Sequence, residues 1–391
     1  MNPNQNISFC IPSYNNLRHL KNAYSSIKKH ESNHEIILLD DGSTDGTWEW
    51  INDLNDPNIQ KYKSKSRVGH TVLYDIGINM AKNEIVSILH ADMIIGPNYV
   101  SNLLKHLKKD NVVCATRIEP PLHPSGKEKI IQNFGLDFDD LNIDKFEKFC
   151  LSEQNVFKNQ TTNGMFAPWM IYKETFQSIG GHDHMFSPFP YEDSDIFQRW
   201  ILNGFELIQS RDAFVYHLTC RGHRWTEKIQ KDDDFYKECC YKNSRNFIRK
   251  WGSWIKNDDY SYPILTPKFN IGFVIHNCNS DLLQHLEPWA VNLYVNCDTY
   301  NYINQEQSKT TYNLQSKFKK INDYKINDII VEFDGQLLNN ERFQFLVSDL
   351  PHTLKESGQI GKMEYDIFKF EIKSLNTYEK DLINVENNNH L

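Results

Sequence analysis

The sequence predicts an α/β protein: a mostly parallel, Rossmann-like sheet followed by a second, smaller α/β domain. Three features point there. Short apolar runs of strand length alternate with amphipathic segments through roughly the first 117 residues. Two of these runs end directly in carboxylates, at Asp40-Asp41 and at Asp92. After a break with two prolines at about 258–268, a fresh series of apolar runs begins. At 391 residues the chain exceeds one ordinary core, since domains usually take about 100–200 residues.

In order, residues 7–14 (ISFCIPSY) read as a first strand ending at Pro12, and Leu17, Leu20, Tyr24 and Ile27 recur at helical spacing. Residues 35–39 (EIILL) form a second strand that runs into DDGSTDG, a turn whose side chains can cap the helix carrying Trp48, Ile51 and Leu54. Residues 59–63 suit a third strand, after which Arg67-Val68-Gly69 opens a helix with Val72, Leu73, Ile76 and Met80 on one side. The strand at 84–93 (EIVSILHADM) stops at His90-Ala91-Asp92. Ligands of open α/β sheets sit just beyond such strand ends, although an Asp there can also simply cap the next element. Pro97 then starts a helix with Tyr99, Val100, Leu103, Leu104 and Leu107, and residues 112–116 form the next strand.

Residues 117–160, with three prolines and Asp137, Asp139 and Asp140, predict an irregular excursion with one or two short helices. A helix over 173–179 ends at Gly180-Gly181, and Tyr191-Glu192-Asp193-Ser194-Asp195 opens another. A short strand at 213–216 ends at His217. Beyond 270, the runs IGFVI, AVNLYV, DIIVEF and DIFKFEI predict the second domain, with helix around 343–355. Lys317, Lys319 and Lys320 read as a solvated helix face, and the tail from Asn384 as frayed.

The formal charge of -8 lacks the basic footprint of a protein that grips phosphate backbones, so no nucleic-acid partner is expected. An acidic chain that binds an anionic substrate needs a local device such as a metal ion. No apolar run of about 18 residues and no signal-peptide pattern occur, so the expectation is a cytoplasmic protein with no integral membrane segment. Eight cysteines without C-x-x-C spacing point to reduced, mostly buried thiols.

Seven motifs occur in order: IPSYNN at 11–16, LLDDGSTDGT at 38–47, RVG at 67–69, LHAD at 89–92, IGGHD at 179–183, YEDSDIFQRW at 191–200 and VYH at 215–217. Together they resemble a family 2 glycosyltransferase of the GT-A fold, over residues 7 to about 225. The resemblance implies an inverting, metal-dependent enzyme of the hexosyltransferase type. It would move a sugar from a UDP-sugar to an acceptor hydroxyl of a glycan, polysaccharide or glycoconjugate, with Mn2+ (or Mg2+) as cofactor. It also implies domain limits: residues 1–257 as the GT-A domain, with a nucleotide-sugar half at about 1–117 and an acceptor half at about 118–257. Residues 258–268 then form a linker, 269–383 an accessory domain and 384–391 a tail.

The resemblance also assigns residues. Pro12 and Tyr14 match the loop against base and ribose, Asp41 the acceptor for the uracil ring, and Arg67 and Gly69 the opening of the third helix. Asp92 matches the metal-binding end of the D-x-D signature. His90 replaces its first Asp, where an imidazole could ligate Mn2+ or hydrogen-bond to ribose. His217 matches a further metal ligand, with His223 in reserve. Asp193 matches the general base; Glu192, Gly181 and Trp225 fall on the acceptor side. Each has a plain alternative, since Asp41 can cap a helix, Tyr14 can be core and a carboxylate at 193 suits a helix N-terminus. Of the aromatics near 166–225, Phe189 and Trp225 suit substrate better than Phe166, Trp169, Phe186 and Tyr191. Asp40 and Asp45 read as turn and cap residues. A non-catalytic GT-A-like module that binds nucleotide sugar or glycan is the competing reading. The C-terminal region lies outside the resemblance and suggests an accessory or oligomerisation role.

Overall fold

The computed structural model describes residues 5–219 and 234–387. Trp225 and His223 lie outside the described residues. The chain divides into two compact units. The first takes the described residues of Met1–Cys239, Asn257–Ile264 and Asn384–Leu391; the second is Cys240–Lys256 with Leu265–Ile383.

In the first unit, β1 (Ser8–Ser13) and β2 (Glu35–Asp40) are buried along their whole length, as strands covered on both faces must be. The helix α1 (Leu17–His30) between them buries Leu20, Ala23 and Ile27 at three- and four-residue spacing, each apolar side chain contributing about 1.5–3 kcal/mol where large and fully buried. Then follow α2 (Thr47–Asp53), β3 (Ile59–Lys63), α3 (His70–Met80), β4 (Ile85–Ile88), β5 (Met93–Ile95) and α4 (Tyr99–Leu104). The rest of the unit holds β6 (Asn111–Glu119), β7 (Lys129–Ile131), α5 (Ile143–Val156), β8 (Thr161–Asn163), β9 (Trp169–Tyr172), α6 (Lys173–Gln177), α7 (Glu192–Leu202) and β10 (Glu206–His217). The sheet runs β3-β2-β1-β4-β9-β6-β10-β5, with β7 on β6 and β8 on β10. Neighbours β3, β2, β1 and β4 are parallel, as are β6 and β10, whereas β9 and β5 run antiparallel to theirs. The expected α/β class holds.

Registry sets the site. Ser13 pairs with Asp40 and Cys10 with Ile88, so the carboxyl ends of β1, β2 and β4 finish side by side.

Two stretches are more regular than the sequence suggests. The excursion at 117–160 contains the fourteen-residue α5, capped by Asn142, and β6 continues to Glu119. The strand expected at 213–216 begins at Glu206, with a register shift between Gln209 and Phe214. Its polar residues are buried but satisfied: the Ser210 carbonyl accepts from Thr116 Oγ1 at 2.7 Å, and Ser210 Oγ donates to Asp212 at 2.8 Å. A period-two apolar pattern cannot reveal such a strand.

The helix α8 (Asp234–Trp251) contributes its residues from Cys240 onward to the second unit, so that unit starts before the expected linker. The reason is electrostatic. Arg249 donates to Glu287 at 2.6 Å and Glu306 at 2.7 Å, and Arg245 donates to Glu306 at 2.6 Å. Lys317 also reaches Glu287, at 2.6 Å, so it is the partly buried partner of a buried carboxylate rather than part of a solvated helix face. Lys319 and Lys320 lie on a strand. The six strands of this unit are β11 (Ile271–His276), β12 (Asn292–Val295), β13 (Phe318–Lys320), β14 (Ile329–Asp334), β15 (Gly361–Tyr365) and β16 (Phe368–Ile372). Their order is β13-β12-β11-β14-β16-β15, parallel through β14.

Residues 384–387 are anchored rather than frayed. Val385 donates its N–H to the Ile179 carbonyl, and the Asn387 side chain donates to the carbonyls of Gly180 and His182 at 3.2 and 2.8 Å. Of the seven described cysteines, Cys10, Cys114, Cys150 and Cys239 are buried. Among the described residues, no helix is long and apolar enough to cross a membrane.

Candidate active site

The IPSYNN and DDGSTDG loops are laced together at the ends of β1 and β2. Asn15 N–H donates to Ser43 Oγ at 2.9 Å, and Thr44 N–H to Asn15 Oδ1 at 2.7 Å. Asp40 accepts from Ser43 N–H at 3.1 Å; Asp45 accepts from Thr47 N–H at 3.1 Å and Leu17 N–H at 3.0 Å. Both are turn and cap residues, as expected. Asp41 differs. Its Oδ1 accepts from Val68 N–H at 2.7 Å and its Oδ2 from Gly69 N–H at 2.9 Å, which leaves lone pairs on both oxygens for a further donor. Burial raises its pKa, against the pull of those two amides.

Gly69 is needed where it stands: φ is +89°, and a Cβ would come within 2.2 Å of Pro188 Cα.

These loops wall an open cleft of about 580 Å³. Pro12, Tyr14, Asp41, Arg67, Gly69, His90 and Asp92 line it. The Arg67 guanidinium lies 4.0 Å over the Tyr14 ring, 4.7 Å over Phe235 and 5.2 Å over Phe189, while its Nε is buried with no hydrogen-bond partner among the described residues. Phe189 is 3% exposed yet reaches the cleft, whereas Trp169 and Phe186 are fully buried. Phe166 lies beneath the Arg117 guanidinium at 3.5 Å.

His90 and Asp92 sit in the tight turn from β4 to β5, closed by Met93 N–H to the His90 carbonyl at 3.1 Å. Antiparallel pairing of β5 with β10 sets His217 opposite Met93, and Leu218 N–H donates to the Asp92 carbonyl at 3.1 Å. This brings His217 Nε2 to 3.7 Å from Asp92 Oδ1. One donor atom each from His90, Asp92 and His217 lies within 4.8 Å of the others. The residues fit a divalent cation: two imidazoles and a carboxylate, two of the three lining the cleft, form a donor set that suits Mn2+.

Asp193 and Glu192 open α7, after Tyr191 at φ +89°. Glu192 is buried and its Oε1 meets His70 Nε2 at 2.5 Å. Burial lowers the His70 pKa, but Glu192 outweighs it and the net shift is upward. Asp195 is fully buried and pairs with Arg199 at 2.8 Å. Asp193 is left half-buried, with no hydrogen bond among the described residues. Desolvation and the Glu192 charge push its pKa up to about 7, against His182, His70 and Arg117.

Gly181, at φ +73°, makes its close approach within the protein: a Cβ would come 2.6 Å from Asp75 Oδ2. Asp75 in turn meets His182 Nδ1 at 2.7 Å and His184 Nε2 at 3.0 Å. Sequence reasoning missed His70, Tyr74 and Glu119. His70 and Tyr74 line the cleft, and only their helical spacing beyond Gly69 hinted at it. Glu119 lay past the expected end of its strand.

Residues 8–180 match the family described as "Glycosyl transferase family 2". The match takes in a little under half of the chain. The family 2 assignment bears out the recognition and the GT-A expectation for the first domain, and the second unit lies beyond the match. Similar proteins include "Glycosyltransferase GlyG" of Streptococcus pneumoniae serotype 4, 30% identical over 106 residues, covering 26% of this chain and 35% of that one. "Uncharacterized glycosyltransferase MG060" of Mycoplasma genitalium is 32% identical over 111 residues, covering 26% and 37%. The matched stretch thus spans about a third of the length of these relatives. Among solved structures, "GalNAc-T7 with UDP, GalNAc and Mn2+" has a TM-score of 0.47 at 15% identity, covering 66% of this chain and 49% of that one.

Proposed function

We propose that the first unit is an inverting glycosyltransferase of the hexosyltransferase type that moves a sugar from a UDP-sugar to an acceptor hydroxyl. The observation that carries the reading is the cluster of His90, Asp92 and His217, of which His90 and Asp92 line the same cleft as Asp41 and Arg67. Asp41 accepts from the N–H edge of the base, through the lone pairs its backbone partners leave open. Tyr14 and Pro12 pack against base and ribose. Arg67, held by three aromatic rings, faces the diphosphate with a fixed charge in an otherwise acidic protein.

His90, Asp92 and His217 would hold Mn2+, which would supply Lewis-acid stabilisation to the leaving diphosphate. Asp193 takes the proton of the acceptor hydroxyl. A base poised near 7 is ionised often enough to act at neutral pH and basic enough to draw the proton. Glu192, engaged by His70, is held out of that role. With Asp193 as the single base and the cation on the leaving group, transfer is one in-line displacement, hence inversion. Gly181 and Trp225 stay assigned to the acceptor side, with Gly181 acting through the Asp75 cluster.

The test is a panel of nucleotide sugars in thermal-shift and UDP-release assays, with and without Mn2+. One UDP-sugar should raise the unfolding temperature only when Mn2+ is present and should then be turned over, and Asp92→Asn should remove both effects. Equal stabilisation without metal, or none by any nucleotide sugar, would sink the proposal.

A further inference from the structure

We propose that Glu119 is a positioning residue that holds His217 as its Nδ1–H tautomer, so that the Nε2 lone pair faces Asp92 and a divalent cation between them. This rests on the metal-binding reading of His90, Asp92 and His217 given above.

The register of β6 and β10 pairs Ile118 with Tyr216, which brings Glu119 level with His217 on the neighbouring strand. Glu119 Oε1 lies 3.1 Å from His217 Nδ1. An ionised carboxylate only accepts, so Nδ1 must carry the proton and Nε2, 3.7 Å from Asp92 Oδ1, is left free to ligate. Glu119 cannot turn away. Arg117 Nη1 donates to Oε1 at 2.6 Å, Lys129 Nζ donates to Oε2 at 2.9 Å, and the residue is 1% exposed. Arg117 is itself pinned over Phe166 at 3.5 Å and bonded to Glu128 at 3.4 Å. With Arg117 and Lys129 both bonded to its oxygens, Glu119 faces Nδ1 as a charged acceptor. A carboxylate behind a ligating imidazole fixes ring orientation and tautomer, and its loss typically weakens metal binding about 10–100-fold.

The test uses full-length protein with UDP as the nucleotide probe. Mn2+ affinity is read by the EPR signal of free ion, and the His217 tautomer by nitrogen NMR of the metal-free protein. Wild type should show the Nδ1–H tautomer. Glu119→Gln should mix the tautomers and weaken Mn2+ about tenfold or more, yet cause no further loss in a His217→Ala background, because its effect passes through that ring. If the Gln variant does not fold, Glu119→Asp, whose shorter carboxylate retracts from Nδ1, carries the same readouts. Wild-type affinity in Glu119→Gln beside a loss in His217→Ala would overturn the proposal alone. Undiminished affinity in His217→Ala would overturn the metal reading as well.

Discussion

Replacing Asp193 by Asn removes one carboxylate that no described residue hydrogen-bonds, so the chemistry should suffer while the fold does not. General bases contribute about 10²–10⁴ to the rate, and a kcat for UDP release lowered by that factor is expected, a barrier increase of about 3–5 kcal/mol. The wild-type pH profile carries a second signature. With Asp193 titrating at about 7, only about one molecule in a hundred has the base ionised at pH 5, so kcat at saturating donor and Mn2+ should fall about a hundredfold there. The Asn variant should lack that limb.

Stability runs the other way. The folded-state pKa of Asp193 lies above its unfolded value, so the native state binds the proton more tightly and this group's contribution declines as pH rises from about 4 through about 7. Asp193→Asn removes the penalty, and its unfolding temperature at pH 8 should equal or exceed that of wild type. Kinetics of UDP release from pH 5 to 9, paired with calorimetry, test both. A variant that keeps transfer within about twofold, or a wild-type profile flat from 5 to 8, would refute the base assignment.

Two further substitutions probe the frame of the site and the second unit. Gly181→Ala places a Cβ 2.6 Å from Asp75 Oδ2 at a φ of +73°, and should cost about 1–3 kcal/mol, visible as a lower thermal midpoint; unchanged stability would mean the Asp75–His182 cluster yields freely. Glu287→Ala strands Arg249, Lys317 and Tyr302 in the second unit, and a loss of about 3–5 kcal/mol in denaturant unfolding is expected, whereas Glu287→Gln, which keeps some hydrogen bonds, should lose less.

The parts of the fold that could be read in advance are those whose burial follows one period. β1, β2 and β4 are buried throughout and apolar at most positions, and α1 buries a single stripe, so their residue types state their environment. The turn chemistry of DDGSTDG was equally legible, because Asp40 and Asp45 serve amides within a few residues or in the adjoining loop. What escaped were long-range polar pairings. The first half of β10 hides behind Gln209, Ser210 and Asp212, whose partners lie in other strands or across a bulge. Lys317 looked like a surface lysine because Glu287, its partner, is thirty residues away. A lone sequence shows charge but not what neutralises it.

His90 stood out as a departure from the expected acidic signature, and its surroundings give that departure a physical sense. Its ring meets His217 edge-on at 5.9 Å and stacks near His70 and Tyr74 at 6.2 and 6.4 Å. Asp92 is therefore the one carboxylate among the three clustered donors, and the nearby Glu119 is already balanced by Arg117 and Lys129. A second carboxylate at position 90 would add charge beside Asp92, Asp193 and Glu192, which already raise the Tyr74 pKa together with its burial. An imidazole supplies a ligand atom without that repulsion, and it shifts the donor set from hard oxygen toward nitrogen, the direction that favours Mn2+ over Mg2+. On the proposed reading, an imidazole at position 90 gives the site a lower charge, which fits a working centre better than the erosion expected of a shell that only binds, and Asp41, Asp92, Asp193 and His217 all remain in the sequence.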